Sequence, residues 1–159
     1  MGAGKTTVGR PLAAAIERPY LDSDEELAAR CGSSAEAVQQ AQGRSRLHEV
    51  ERDILAGMAG RNVVFGAAAS VADTEAGRAL LSAATAIYLH AAPDTLVGRA
   101  MTGPHRPLPD QRDAVLRVLR EQYRERDGRY REVARIVLDV EDATPKEVVA
   151  ALIRTLADM

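Results

Sequence analysis

The sequence predicts a three-layer α/β/α fold built on a parallel sheet, and two observations carry that expectation. Short apolar runs alternate with longer stretches of helical periodicity, as strands joined by crossover helices do. The chain also opens on Gly2-Ala3-Gly4-Lys5-Thr6-Thr7, a glycine-rich turn running straight into a helix. Turns of this kind lie at the carboxyl ends of parallel strands, where such folds bind their ligands. The 159 residues suffice for one domain with a proper core, taken as 1–159.

The elements follow in order. Behind the turn, Val8, Leu12, Ala15 and Ile16 recur at helical spacing, so the first helix begins at the glycines. Tyr20-Leu21-Asp22, Val63-Val64-Phe65, Ala86-Ile87-Tyr88-Leu89 and Ile136-Val137-Leu138 read as buried strands. Leu47, Val50, Ile54, Leu55 and Met58 mark an amphipathic helix. Val148, Val149, Leu152, Ile153 and Leu156 mark another, opened by Thr144-Pro145-Lys146-Glu147, a capping box with proline at the first helical position. From Met101 to Arg112, three prolines and a glycine leave room for neither helix nor strand. This stretch, 101–112, is expected to be a mobile loop. Its His105-Arg106 pair suits a lid over phosphates, and a solvated connector is the alternative.

Composition narrows the function. There are 21 basic and 23 acidic residues, a net charge of −2, no basic tract and five aromatics, so neither nucleic acid nor a membrane surface is an expected partner. Cys31 is alone, which excludes a disulfide framework or a thiolate metal cluster and fits a reduced, cytoplasmic setting. No leader and no membrane-spanning apolar run is visible. A monomer acting on a small molecule is the expectation.

Gly-Ala-Gly-Lys-Thr is the second half of G-x-x-x-x-G-K-[ST], in which backbone N–H groups wrap phosphate oxygens, the lysine neutralises them and the threonine hydroxyl takes Mg²⁺. The chemistry is therefore that of a nucleotide. The full pattern expects another glycine five residues before Gly4, and an apolar strand before that, both upstream of Met1. Asp22-Ser23-Asp24 follows a strand, where a carboxylate can orient a hydroxyl or accept its proton, although the same residues suit a helix cap.

Taken with Tyr88-Leu89 followed by Arg99, Arg106-Pro107-Leu108, Arg126 with Tyr130-Arg131-Glu132-Val133-Ala134, and Thr144-Pro145, these motifs resemble the shikimate kinase family nearly end to end. The resemblance implies a P-loop NTPase fold with a five-stranded parallel sheet, a substrate-binding helical region and a lid. It also implies transfer of the γ-phosphoryl group of ATP to a ring hydroxyl of shikimate, with Mg²⁺. On that resemblance Gly2, Ala3, Gly4, Lys5, Thr6 and Thr7 form the phosphate loop, and Thr6 and Asp22 attend the metal. Arg99 and Pro145 flank adenine, and Arg106 is the lid arginine that meets the transferred group. Lys5, Asp22 and Arg106 carry catalysis; Asp24 and Arg126 bind the acceptor, the arginine through its carboxylate.

Two acceptor-side features depart from the family pattern. Its second carboxylate-gripping arginine is His48 here, which replaces a planar fork of five donors by a ring with two at most, whose charge depends on pH. Glu51, one turn on, is placed to hold that ring. Three glycines whose backbone approaches the substrate are Ala67, Ala68 and Ala69. An alanine forced to φ > 0 costs about 1–2 kcal/mol, and Gly66, one place earlier, is a candidate to compensate. The expected function is an ATP-dependent kinase making shikimate 3-phosphate. The alternatives are a related kinase with another small hydroxylated acceptor, and a degenerate nucleotide-binding paralogue.

Overall fold

The computed structural model describes residues 2–102 and 111–159. Helix α1 (Lys5–Ala15) springs from the phosphate-loop sequence and leads to strand β1 (Tyr20–Asp22). Helices α2 (Ser23–Cys31) and α3 (Ala35–Ala56) follow, then β2 (Val64–Gly66), a 3-10 turn over Ala69–Asp73, and α4 (Glu75–Ser82). Strand β3 (Ile87–His90), α5 (Pro93–Thr102), α6 (Arg112–Val133), β4 (Ile136–Asp139) and α7 (Pro145–Ala157) complete the order.

All four predicted strands form, each within a residue of its expected bounds, and all pair in parallel. In one ladder Tyr20, Leu21 and Asp22 face Val64, Phe65 and Gly66. In the other, Ile87 to His90 face Ile136 to Asp139. Among the described residues the two ladders are not hydrogen bonded to each other, so the five-stranded sheet of the family pattern is represented by two pairs.

Period-two alternation splits the second ladder between two helical layers. Ile87 and Leu89 join Val8 and Leu12 of α1 and Val148 and Leu152 of α7 in one core. Tyr88 and His90 point the other way, where the Tyr88 hydroxyl donates to Asp127 Oδ1 at 3.0 Å and His90 Nε2 lies 3.0 Å from the Tyr123 hydroxyl, both on α6. Helices thus cover both faces of the strands. A second core of Leu27, Val38, Leu47, Val50 and Ile54, with Phe65 against it, holds α2 and α3 together beside β2. This is the helical region that carries Asp24 and His48.

Local signals set the boundaries. Thr144 and Glu147 form the predicted capping box at the start of α7, with Pro145 in its first turn. Gly43, at φ 84°, breaks helical geometry inside α3. Met58 lies just beyond that helix rather than in it. Of the stretch 101–112 expected to be a loop, Met101 and Thr102 instead continue α5 and Arg112 opens α6. His105 and Arg106 lie outside the described residues. No described helix is long and apolar enough to cross a membrane.

Candidate active site

The phosphate loop folds as its glycines require. Gly4 caps α1 at φ 85°, a left-handed conformation that a side chain would strain, and its carbonyl accepts from Val8 N–H at 2.8 Å. Gly2, at φ 74°, backs onto the Leu96 carbonyl of α5. Lys5, Thr6 and Thr7 follow at the helix start with exposed side chains, so the N-terminal N–H groups of α1 and the lysine share one open end.

From that end, two side chains reach across the first ladder. Lys5 Nζ donates to the Ala67 carbonyl at 2.8 Å, just past β2. Thr6 Oγ1 donates to Asp22 Oδ2 at 3.2 Å. The phosphate loop, the end of β1 and the end of β2 therefore meet at one place, as expected for a ligand site at strand carboxyl ends.

Asp22 serves the fold and the site at once. Its Oδ1 accepts the Asp24 N–H at 3.0 Å, capping α2, while Oδ2 takes Thr6 and, at 2.9 Å, the Tyr20 hydroxyl. The helix-cap reading of Asp22-Ser23-Asp24 holds, and the capping carboxylate also faces the phosphate-loop threonine. Burial works against the Asp22 charge, but the Asp24 N–H, the Tyr20 hydroxyl, the nearby Lys5 ammonium and Thr6 outweigh it and hold the carboxyl below its ordinary value. Burial pushes Tyr20 up to about 12, so its hydroxyl stays a donor. Asp24 is exposed in the first turn of α2, close enough to Glu51 for its charge to be felt there.

Tyr20 is a site residue that the sequence reading missed, although strand alternation puts it on the face of Asp22. Its ring packs where glycines leave space. A Cβ on Gly9 would lie 2.4 Å from Tyr20 Cε2, and one on Gly66 would lie 2.4 Å from the Tyr20 hydroxyl. Gly66 thus makes room for the Tyr20–Asp22 pair at the end of β2. The feared strain at Ala67, Ala68 and Ala69 is absent: Glu17 is the one described non-glycine residue at positive φ. Ala68 sits at φ −62°, ψ 141°, ordinary extended backbone that alanine adopts freely. Alanine fits this loop as built.

Arg126, the residue the family pattern assigns to the acceptor carboxylate, is buried. Its Nε and Nη2 donate to Asp73 Oδ1 and Oδ2 at 2.9 and 2.6 Å, and Arg129 Nη1 donates to Oδ1 at 3.1 Å. Burial opposes the Asp73 charge, but Arg126 and then Arg129 hold that carboxyl below its usual range. The Tyr130 hydroxyl donates to the Ala69 carbonyl at 2.9 Å, fastening α6 to the alanine loop. Glu51, also buried, accepts from Ser70 Oγ and not from the His48 ring it was expected to hold. Burial raises its carboxyl above the ordinary value, against the pull of Ser70, His48 and Arg126. His48 is half-buried on α3 and acts on Glu51 and Asp73 through space.

Arg99 of α5 donates to the carbonyls of Val140 and, at 3.0 Å, Glu141, in the loop that leads to Pro145. Pro145 itself lines an apolar concavity with Pro11, Lys146 and Val149. The structure so brings together Lys5, Thr6, Asp22 and Ala67 at one centre, Arg126 and Ala69 at a second, and Arg99 with the Pro145 loop at a third.

A shikimate kinase family profile matches residues 1–157. A shikimate kinase of Pseudomonas syringae pv. tomato is 34% identical over 161 residues, covering 100% of this chain and 93% of the relative. One of Nitrosospira multiformis is 35% identical, covering 98% and 80%. Among solved structures, shikimate kinase from Acinetobacter baumannii in complex with shikimate superposes with a TM-score of 0.86 at 26% identity, covering 99% of this chain and 89% of that one. The fold is also that of shikimate kinase from Bacteroides thetaiotaomicron, with a TM-score of 0.90 at 21% identity over 99% and 94% of the two chains. With its phosphate loop, its strand-end carboxylate and a match along nearly its whole length, the chain belongs to the shikimate kinase family.

Proposed function

We propose that this protein transfers the γ-phosphoryl group of ATP to the 3-hydroxyl of shikimate, giving ADP and shikimate 3-phosphate for aromatic amino-acid biosynthesis. The observation that carries the reading is the convergence of Lys5 and Thr6, at the start of α1, on the end of β2 and on Asp22. The family is one of phosphotransferases acting on a hydroxyl group, with ATP as phosphate donor.

The reaction breaks the bond from the γ-phosphorus to the bridging oxygen of ADP and forms one to the acceptor oxygen, which loses its proton. Such transfer passes through a loose transition state, so positioning and positive charge matter more than covalent chemistry. The α1 N–H groups and Lys5 cradle the phosphates, with Lys5 exchanging the Ala67 carbonyl for a phosphate oxygen. Asp22 is charged at neutral pH and directs the acceptor hydroxyl, receiving its proton as the new bond forms. Arg106, Arg99 and Pro145 keep the roles assigned by family pattern, at the transferred group and the adenine.

Thr6 and Asp22 also fit a magnesium ion. Mg²⁺ takes hard oxygens, binding through one or two protein groups together with substrate phosphates and water. The Thr6 hydroxyl and Asp22 carboxylate offer two such oxygens side by side at the mouth of the phosphate loop. When bound, the ion supplies charge neutralisation on the phosphates.

The test is an ATP-dependent phosphorylation assay over a panel of hydroxy acids that includes shikimate, with product mass read directly. Shikimate gaining one phosphate, and doing so fastest in the panel, is the expected result. Efficient phosphorylation of another acid while shikimate stays unmodified would replace the acceptor, and no product from any of them would leave a nucleotide-binding protein without kinase activity.

A further inference from the structure

We propose that Asp73 occupies the seat of the acceptor carboxylate on Arg126, so that a carboxylated acceptor binds by displacing it and Asp73 sets how tightly that acceptor is held. The inference rests on the reading of Arg126 as the residue that grips the carboxylate of shikimate. Asp73 takes Nε and Nη2 of the guanidinium through its two oxygens, the fork-to-fork geometry with which arginine receives any carboxylate. The Arg126 side chain is only 8% exposed, so it has little surface left for a second anion.

Place and surroundings agree. Asp73 ends the 3-10 turn that begins at Ala69, on the loop that borders the acceptor side. The charged groups that face it are Arg126 and Arg129 from α6 and His48 from α3. Glu51 and Tyr130 border Arg126. A family-pattern arginine at position 48 would add a cation here; histidine leaves Arg126 as the main anchor, already engaged by an internal carboxylate.

Arg129 makes the exchange feasible. It bonds Asp73 Oδ1 at 3.1 Å while its own side chain is 41% exposed, so it can keep Asp73 paired after Arg126 is surrendered. An entering carboxylate then replaces a leaving one, and no buried charge is stranded, which would otherwise be a heavy cost.

Steady-state kinetics of the full chain with saturating MgATP test this, using shikimate and its uncharged carboxamide as acceptors. Asp73→Asn is expected to lower the KM for shikimate at least about fivefold, with kcat moving far less and the carboxamide KM shifting under about twofold. Arg129→Gln, at an exposed position, is expected to raise the shikimate KM selectively because displaced Asp73 loses its second cation. A shikimate KM that is unchanged or higher in Asp73→Asn, with turnover retained, overturns the proposal and makes Asp73 a residue that merely aims Arg126. Should Asp73→Asn fail to fold by circular dichroism, an unchanged or lower shikimate KM in Arg129→Gln overturns it equally. Absence of shikimate turnover in the wild type as well would instead remove the substrate reading, and the proposal with it.

Discussion

The Tyr20 hydroxyl donates to Asp22 Oδ2 at 2.9 Å, two residues along the same strand, and so aims the carboxylate that meets the phosphate loop. Gly9 and Gly66 leave the space in which this happens. Tyr20→Phe removes one of the hydrogen bonds that hold the Asp22 carboxyl below its ordinary value, so that value rises toward the usual carboxylate range. The acid limb of the kcat/KM profile should move to higher pH, and kcat should fall about three- to tenfold through loosened aim. A profile superimposable on the wild type would show that Tyr20 only fills space.

Lys5→Met separates the site from the fold. The lysine is exposed and its native bond is to one carbonyl, worth about 0.5–1.5 kcal/mol at most to stability. In the proposed reaction its charge on the phosphates is worth more in the transition state, where losing one such donor costs about 10²–10³ in kcat. Phosphoryl transfer should drop by at least about a hundredfold with the melting temperature nearly unmoved. Equal rates for the two proteins would place the working phosphate site elsewhere.

Much of this was legible in the sequence because it is local. The capping box at Thr144, the strand runs of three or four apolar residues and the left-handed Gly4 each follow from neighbours in the chain. Tyr20 also had a local signal, since period two puts it on the face of Asp22, but a tyrosine in a strand reads first as core. Asp73 had none. Its partner lies 53 residues away on α6, and only the packing of that helix against the turn over Ala69–Asp73 reveals which carboxylate the buried arginine holds. The alanine loop misled in the other direction, because glycine in a family pattern suggests a forced φ that this backbone does not have.

Ala68→Gly turns that last point into a measurement. Were the alanine strained, glycine would relieve it; at φ −62°, ψ 141° it is not, and glycine only frees the unfolded chain. The substitution should cost about 0.4–1 kcal/mol, lowering the melting temperature by roughly 1–4 °C. A rise in melting temperature would show hidden strain in the loop.

Glu51 gives the pH dependence of stability a definite sign. Burial raises its folded-state carboxyl above the unfolded value, so its ionisation is harder in the folded protein and costs stability once the pH passes the folded value. The cost is relieved below the unfolded value, about 4.3 for glutamate. Glu51→Gln, which keeps an acceptor for Ser70, should therefore raise the melting temperature at pH 7, each ~1 kcal/mol relieved being worth about 2–4 °C in a domain of this size. The gain should vanish toward pH 4. Asp73 has the opposite sign: its stabilisation stands above the unfolded aspartate value of about 3.9 and is lost as pH falls through its lower folded value. A Glu51→Gln gain that persists undiminished at pH 4 would contradict the linkage.

His48→Arg asks whether the acceptor side can be restored to the family pattern. His48 is half-buried on α3 and feels both Glu51 and Asp73, so an arginine there enters a region with two carboxylates and one engaged guanidinium. A permanent fork at this position supplies a second seat for the acceptor carboxylate, and a hydrogen bond to a charged group is worth about 1.5–3 kcal/mol. By that figure the KM for shikimate should fall about ten- to a hundredfold, with the larger share of the gain in KM rather than kcat, because the carboxylate is remote from the reacting hydroxyl. The new arginine also offers Asp73 another partner, so combining it with Asp73→Asn should give less than the sum of the two separate gains, the signature of residues acting on one anion. Independent, fully additive effects would show that His48 and Asp73 address different parts of the acceptor, and an unmoved shikimate KM in His48→Arg would show that α3 does not reach the carboxylate at all.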